Sequence, residues 1–159
     1  MNGWLGLAVC VVGCQAVGAL GGMVTRPSLD GWYANLRKPS FNPPNWAFPI
    51  AWTTLFLAMS VALWLVIRGE PSGARTLGLT LFGVQLALNF LWSWLFFGQQ
   101  SPGWALLELI VFWGVLLANT AAFFQVAPAA GWLLVPYVAW VSFAGVLNFE
   151  LWRLNRSPA

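Results

Sequence analysis

Histidine is absent from this chain, and only four acidic and seven basic side chains interrupt its 159 residues. Without histidine no Ser-His-Asp triad can be assembled. The two cysteines, Cys10 and Cys14, lie one turn apart within an apolar run, a spacing that suits neither a disulfide nor a metal site. No Walker loop, no dinucleotide glycine pattern after a strand and no Gly-x-Ser-x-Gly elbow occurs. Charged residues make up 7% of the chain, against about a quarter in an ordinary soluble domain. With 60% hydrophobic residues and a mean hydropathy of +0.75, a soluble fold is excluded, and neither a metal nor a nucleic-acid partner is expected.

The few charges map the chain, because a bilayer core needs roughly 20 apolar residues per helix and rejects uncompensated ions. One uncharged run precedes Arg26, a second separates Lys38 from Arg68, and a third from Arg75 to Glu150 contains only Glu108. Turn signals at Gly98-Gln99-Gln100-Ser101-Pro102-Gly103 and Val126-Ala127-Pro128-Ala129-Ala130-Gly131 divide the third run into three. The sequence therefore predicts an all-α polytopic membrane protein. It is a single domain over 1–159, with five transmembrane helices at about 3–24, 45–68, 76–97, 103–125 and 129–152 and a long loop over 25–44. The first run lacks a basic n-region and is too long for a cleaved signal peptide, so it counts as a helix. Arg26, Arg37, Lys38, Arg153 and Arg156 share one side, against Arg68 and Arg75 on the other. That bias predicts a cytoplasmic C-terminus in an inner membrane.

Tryptophan is abundant instead, at 12 residues. Trp4, Trp32, Trp46, Trp104, Trp132 and Trp152 fall near helix ends, where indoles anchor at headgroup level. Trp52, Trp64, Trp92, Trp94, Trp113 and Trp140 lie deeper, where their N–H groups need partners and their faces suit a planar guest. Gln85 and Asn89 share a helical face with Trp92, and Asn119 and Asn148 are placed to join them in an interior polar cluster. Such a cluster either bonds helix to helix or orients a mostly apolar ligand. Pro43, Pro44 and Pro49 predict a distorted start to the second helix, and Pro136 a distortion in the fifth. Glu108 either snorkels to the interface or faces a wet cavity. Two ladders of small residues, Cys14-Gly18-Gly22 and Gly83-Ala87, allow close helix approach within the bundle or between copies.

These stretches, taken in order, resemble the TspO family of tryptophan-rich sensory and translocator proteins. The resemblance covers nearly the whole chain. It rests on Trp32-Tyr33-Ala34-Asn35-Leu36-Arg37-Lys38-Pro39, Asn42-Pro43-Pro44-Asn45-Trp46, Pro49-Ile50-Ala51-Trp52-Thr53, Gln85-Leu86-Ala87-Leu88-Asn89 with Phe96-Phe97-Gly98, and Pro136-Tyr137-Val138-Ala139-Trp140 with Leu147-Asn148-Phe149. It implies a five-helix bundle, a homodimer in a bacterial membrane, and a cavity covered by the first loop as a lid. The guest implied is a porphyrin such as protoporphyrin IX, or a synthetic isoquinoline carboxamide or benzodiazepine, with no cofactor required. By the same resemblance Trp32, Tyr33, Trp52, Asn89, Trp92, Trp104, Trp140, Ala144 and Asn148 surround the ligand, and Arg37 and Lys38 meet a propionate or a lipid phosphate. Trp52 and Trp140 match a pair implicated in light- and oxygen-dependent porphyrin breakdown, so the expectation is a sensor or regulator, with a porphyrin-degrading enzyme or a porphyrin or lipid transporter as alternatives. The lack of histidine favours a metal-free tetrapyrrole over haem. The chain departs from the family where Phe149 replaces the central tyrosine of the cholesterol motif and where Ser93-Trp94 follows Trp92 in place of a proline.

Overall fold

The computed structural model describes residues 2–156, and among these it contains five helices long and apolar enough to span a membrane and no strand. Helix α1 covers Gly3–Leu29, α2 Ala47–Ile67, α3 Gly73–Ser93, α4 Pro102–Val126 and α5 Pro128–Asn155. A short 3-10 turn over Tyr33–Asn35 lies in loop one, and α3 runs on into a π-turn over Trp94–Gly98. The chain closes into a ring in the order α1, α2, α5, α4, α3.

Each helix boundary has a local cause. Asn2 caps α1, its Oδ1 accepting from the Trp4 backbone N–H at 3.2 Å. At the far end α1 passes the expected stop near residue 24 and ends at Leu29, carrying Pro27 inside it. That last turn is held from outside: the Ser28 hydroxyl donates to the Phe97 carbonyl at 2.7 Å, tying α1 to the π-turn. Loop one therefore spans Asp30–Trp46 instead of 25–44. The distorted start expected for α2 does not arise, because Pro49 is the third residue of the helix, where its missing N–H would have had no intrahelical partner anyway. Pro102 and Pro128 open α4 and α5 for the same reason. Arg75 closes α2, its guanidinium donating to the carbonyls of Val66 and Ile67 at 3.2 and 2.7 Å.

The two ends of the bundle pack differently. Towards the C-terminus of α2, the side chains of Met59, Ala62, Val66, Phe82, Phe123, Ala130 and Leu134 form a solid core with almost no exposure. Gly78 lets α3 approach α4 so closely that an added Cβ would sit 3.0 Å from the Phe123 ring. The other end, which carries loop one, is hollow. There Asn155 at the end of α5 pairs with the loop backbone, accepting from the Arg37 N–H and donating to the Arg37 carbonyl, both at 2.8 Å. This reproduces the double bond of a strand pair between a side chain and a loop. Asn155→Ala removes both bonds, and hydrogen exchange of the amides in 30–46 is expected to speed up about tenfold while the helices stay protected. Unchanged exchange would show that the aromatic contacts alone hold the loop.

The two small-residue ladders face different surroundings. Cys14 is buried and Gly18 lies against the Phe56 ring, inside the bundle, whereas Gly83 and Ala87 are exposed on α3.

Candidate functional site

Beneath loop one lies a cavity of about 680 Å³, within the usual range for small-molecule sites. Its walls come from α1, the first half of α2, the end of α3 with its π-turn, and the second half of α5. Antiparallel crossing of these helices brings together residues far apart in sequence. Trp52 of α2 meets Trp140 of α5 edge to face, with ring centroids 6.2 Å apart and planes at 85°. Phe48 and Phe143 flank Trp140 at 6.1 and 5.7 Å. On the opposite wall Trp92 stacks on Phe96 at 5.1 Å. Tyr33 closes the roof over Phe97 at 5.6 Å, and Phe41 of the loop rests on Phe143 at 6.1 Å.

Most of the polar groups around this cavity are already engaged. The Trp92 indole N–H donates to Asn148 Oδ1 at 3.0 Å, and Asn148 Nδ2 donates to the Pro102 carbonyl at 2.8 Å. Asn89 Nδ2 donates to the Tyr137 hydroxyl at 2.6 Å, which in turn donates to Gln85 Oε1 at 2.8 Å. Asn119 takes no part, since its Nδ2 donates to the Gly78 carbonyl at 2.9 Å in the seam between α3 and α4. The single polar cluster expected from the sequence is thus three separate ties between helices. Trp140 Nε1 is buried without a hydrogen-bond partner, on a residue that lines the cavity. Among the described residues Arg26 is the single charged one in the lining.

Of the residues singled out from the sequence, Tyr33, Trp52, Asn89, Trp92, Trp140, Ala144 and Asn148 line the cavity together. Trp104 does not. It is 69% exposed on the outside of α4, while its neighbour Ala105 takes the inward position, about 100° around the helix. Trp32 packs edge to face on Phe96 at 5.6 Å instead of lining the space. Lys38 is turned back on its own loop, donating to the carbonyls of Ala34 and Leu36 with its ammonium 4.9 Å above the Tyr33 ring. That leaves Arg26, which the sequence reading did not single out, as the cation at the cavity. Burial pushes the Tyr33 phenol above its ordinary range, against the opposing effect of its hydrogen bond to Asn42, so it stays a neutral donor.

Glu108 neither snorkels nor faces the cavity. Both its carboxyl oxygens are buried without partners, three turns along the α4 face that carries Asn119. Tyr137, the hub between α3 and α5, was missed as a site residue although it stands three residues before Trp140 and therefore on the same helical face.

Five spanning helices, a hollow end walled by indole and phenyl rings, and a strapped loop above it define a polytopic helical membrane protein built around an aromatic cavity. The chain belongs to the TspO/MBR family, whose model matches residues 10–153. It is 43% identical to the tryptophan-rich protein TspO of Chlorobaculum tepidum, over 95% of this chain and 96% of the relative. It is 41% identical to the translocator protein of Sus scrofa, over 91% and 89% of the two chains. A tryptophan-rich sensory protein of Cereibacter sphaeroides is also 41% identical, over 96% and 92%.

Proposed function

We propose that the protein is a membrane sensor or regulator that binds porphyrin-type tetrapyrroles in the cavity under loop one. The observation that carries this reading is the unpaired Trp140 indole N–H at an aromatic-walled space whose lining also holds the Arg26 guanidinium. A planar apolar macrocycle edged with carboxylates supplies what such a site lacks: faces for the rings to stack on and acceptors for both donors. A synthetic aryl carboxamide offers the same combination on a smaller scale, with one carbonyl for Trp140. Titration of the purified protein with protoporphyrin IX in the dark is expected to quench tryptophan fluorescence saturably. A linear, unsaturable decrease would remove the tetrapyrrole reading.

A second reading is favoured by the contact between Trp52 and Trp140. Two indoles in edge contact beside a light-absorbing ring are placed to be oxidised by it in the presence of oxygen. Illumination after the dark titration separates the two: porphyrin absorbance lost in the wild type but retained in Trp52→Phe, at equal dark affinity, would make the protein a porphyrin-degrading enzyme.

A further inference from the structure

The cavity is not equally closed on all sides. Six of its lining residues are exposed, namely Ala19, Gly22, Met23, Arg26, Pro49 and Thr53, and every one lies on α1 or α2. All lining residues from loop one, α3, the π-turn and α5 are buried or half-buried. The open side is therefore a slot between α1 and α2, facing the bilayer and not the aqueous side above the loop.

The slot has defined edges. At its lower end the helices meet: Gln15 Nε2 donates to the Thr53 carbonyl at 3.2 Å, and a Cβ on Gly18 would stand 3.1 Å from the Phe56 ring. One turn higher, Gly22 is exposed and no heavy atom lies within 4 Å of an added Cβ, so nothing of α2 covers α1 there. On its other flank α1 is sealed, with an added Cβ on Gly21 3.4 Å from Ser93 Oγ, an added Cβ on Gly98 3.1 Å from Val24, and Ser28 bonded to the Phe97 carbonyl. Above, loop one is strapped to α5 by Asn155. Arg26 stands one turn beyond Gly22 on the same face, exposed, within the last turn of α1 where that helix leaves the hydrocarbon.

We infer that this slot is a lateral portal through which an anionic amphiphile, an apolar body carrying a carboxylate, enters the cavity directly from the membrane. Lipid-dissolved molecules of that class orient with the carboxylate at headgroup level and the body among the acyl chains. Arg26 stands at the first height and the gap between Gly22 and Pro49 opens at the second. The carboxylate exchanges water for the guanidinium while the body slides between α1 and α2 towards Trp52 and Trp140, and the roof need not open.

The inference rests on the tetrapyrrole reading only for its kinetic probe. In proteoliposomes with protoporphyrin IX dissolved in the bilayer, Gly22→Leu, whose Cβ has open space and whose longer side chain reaches into the slot, is expected to slow association and dissociation together by about tenfold. Loss of a ligand contact would instead speed release alone. Thr53→Leu narrows the slot from the α2 side and should act in the same direction. Asn155→Ala loosens the roof and should leave both rates unchanged; acceleration by Asn155→Ala with no effect of Gly22→Leu or Thr53→Leu would overturn the portal. A second measurement needs no tetrapyrrole: with doxyl-labelled phosphatidylcholine in the bilayer, the Trp140 indole N–H resonance should broaden in the wild type and sharpen in Gly22→Leu. If protoporphyrin IX fails to bind the wild type but this pattern appears, the portal stands and the choice of ligand falls. Equal broadening in both proteins removes the portal.

Discussion

Trp140→Ala is expected to weaken protoporphyrin IX binding by about 30-fold, and Trp140→Phe by only about fivefold. The phenylalanine variant keeps a ring against Trp52, Phe48 and Phe143 and loses only the free N–H, worth about 1 kcal/mol net in a hydrogen bond. The alanine variant also forfeits aromatic contact of about 0.5–1.5 kcal/mol, which brings the total near 2 kcal/mol. Isothermal titration in detergent reads both. Affinity unchanged in the alanine variant would place the ligand away from the α2 and α5 wall, whereas equal losses would mean that the donor alone matters.

Tyr137→Phe carries the largest expected effect on stability. Tyr137 is fully buried and its hydroxyl is the middle of the chain from Asn89 through to Gln85, so removing one oxygen strands the Gln85 acceptor in the interior and the Asn89 donor at the cavity wall. Each stranded group costs about 1–3 kcal/mol in a soluble core, while hydrogen bonds between transmembrane helices average about 0.6 and reach about 1.7 kcal/mol. The lower scale governs here, and a loss of about 2 kcal/mol is expected, or a fall in Tm of roughly 5 °C for a chain of this length. Adding Gln85→Leu and Asn89→Leu to Tyr137→Phe should restore much of that loss, because an apolar set leaves nothing unpaired. Thermal unfolding followed by far-UV circular dichroism decides it. A triple variant less stable than Tyr137→Phe alone would mean that the cost lies in packing around the ring, not in unpaired groups.

The spans were legible because their cause is one-dimensional. An ion such as Arg26, Arg68 or Arg75 is costly in hydrocarbon, so charges gather near the helix ends, Glu108 in α4 excepted, and the long runs between them mark the spans. The turn from Pro27 to Leu29 was not legible, since proline and serine read as a stop and what keeps the helix going is a bond from Ser28 to a carbonyl 69 residues away. The π-turn over Trp94–Gly98 is equally hidden, because no residue type demands it. Among site residues, Trp52, Asn89, Trp92, Trp140 and Asn148 were found because large rings and amides in a greasy helix need an interior reason. Trp104 has the same side chain and sits outside: identity shows what a ring can do, but only the helix phase shows which way it faces. Arg26 escaped notice for the opposite reason, as a charge at a helix end already has an ordinary explanation at the headgroups.

The strap between Asn155 and Arg37 joins residues 118 positions apart. Its two ends leave the ribosome at very different times. During synthesis the first four helices can insert while loop one still lacks its partner, and the cavity lacks its α5 wall. Closure of the roof is therefore tied to completion of the last turn of α5. Until Asn155 is in place, loop one lies unstrapped over the cavity.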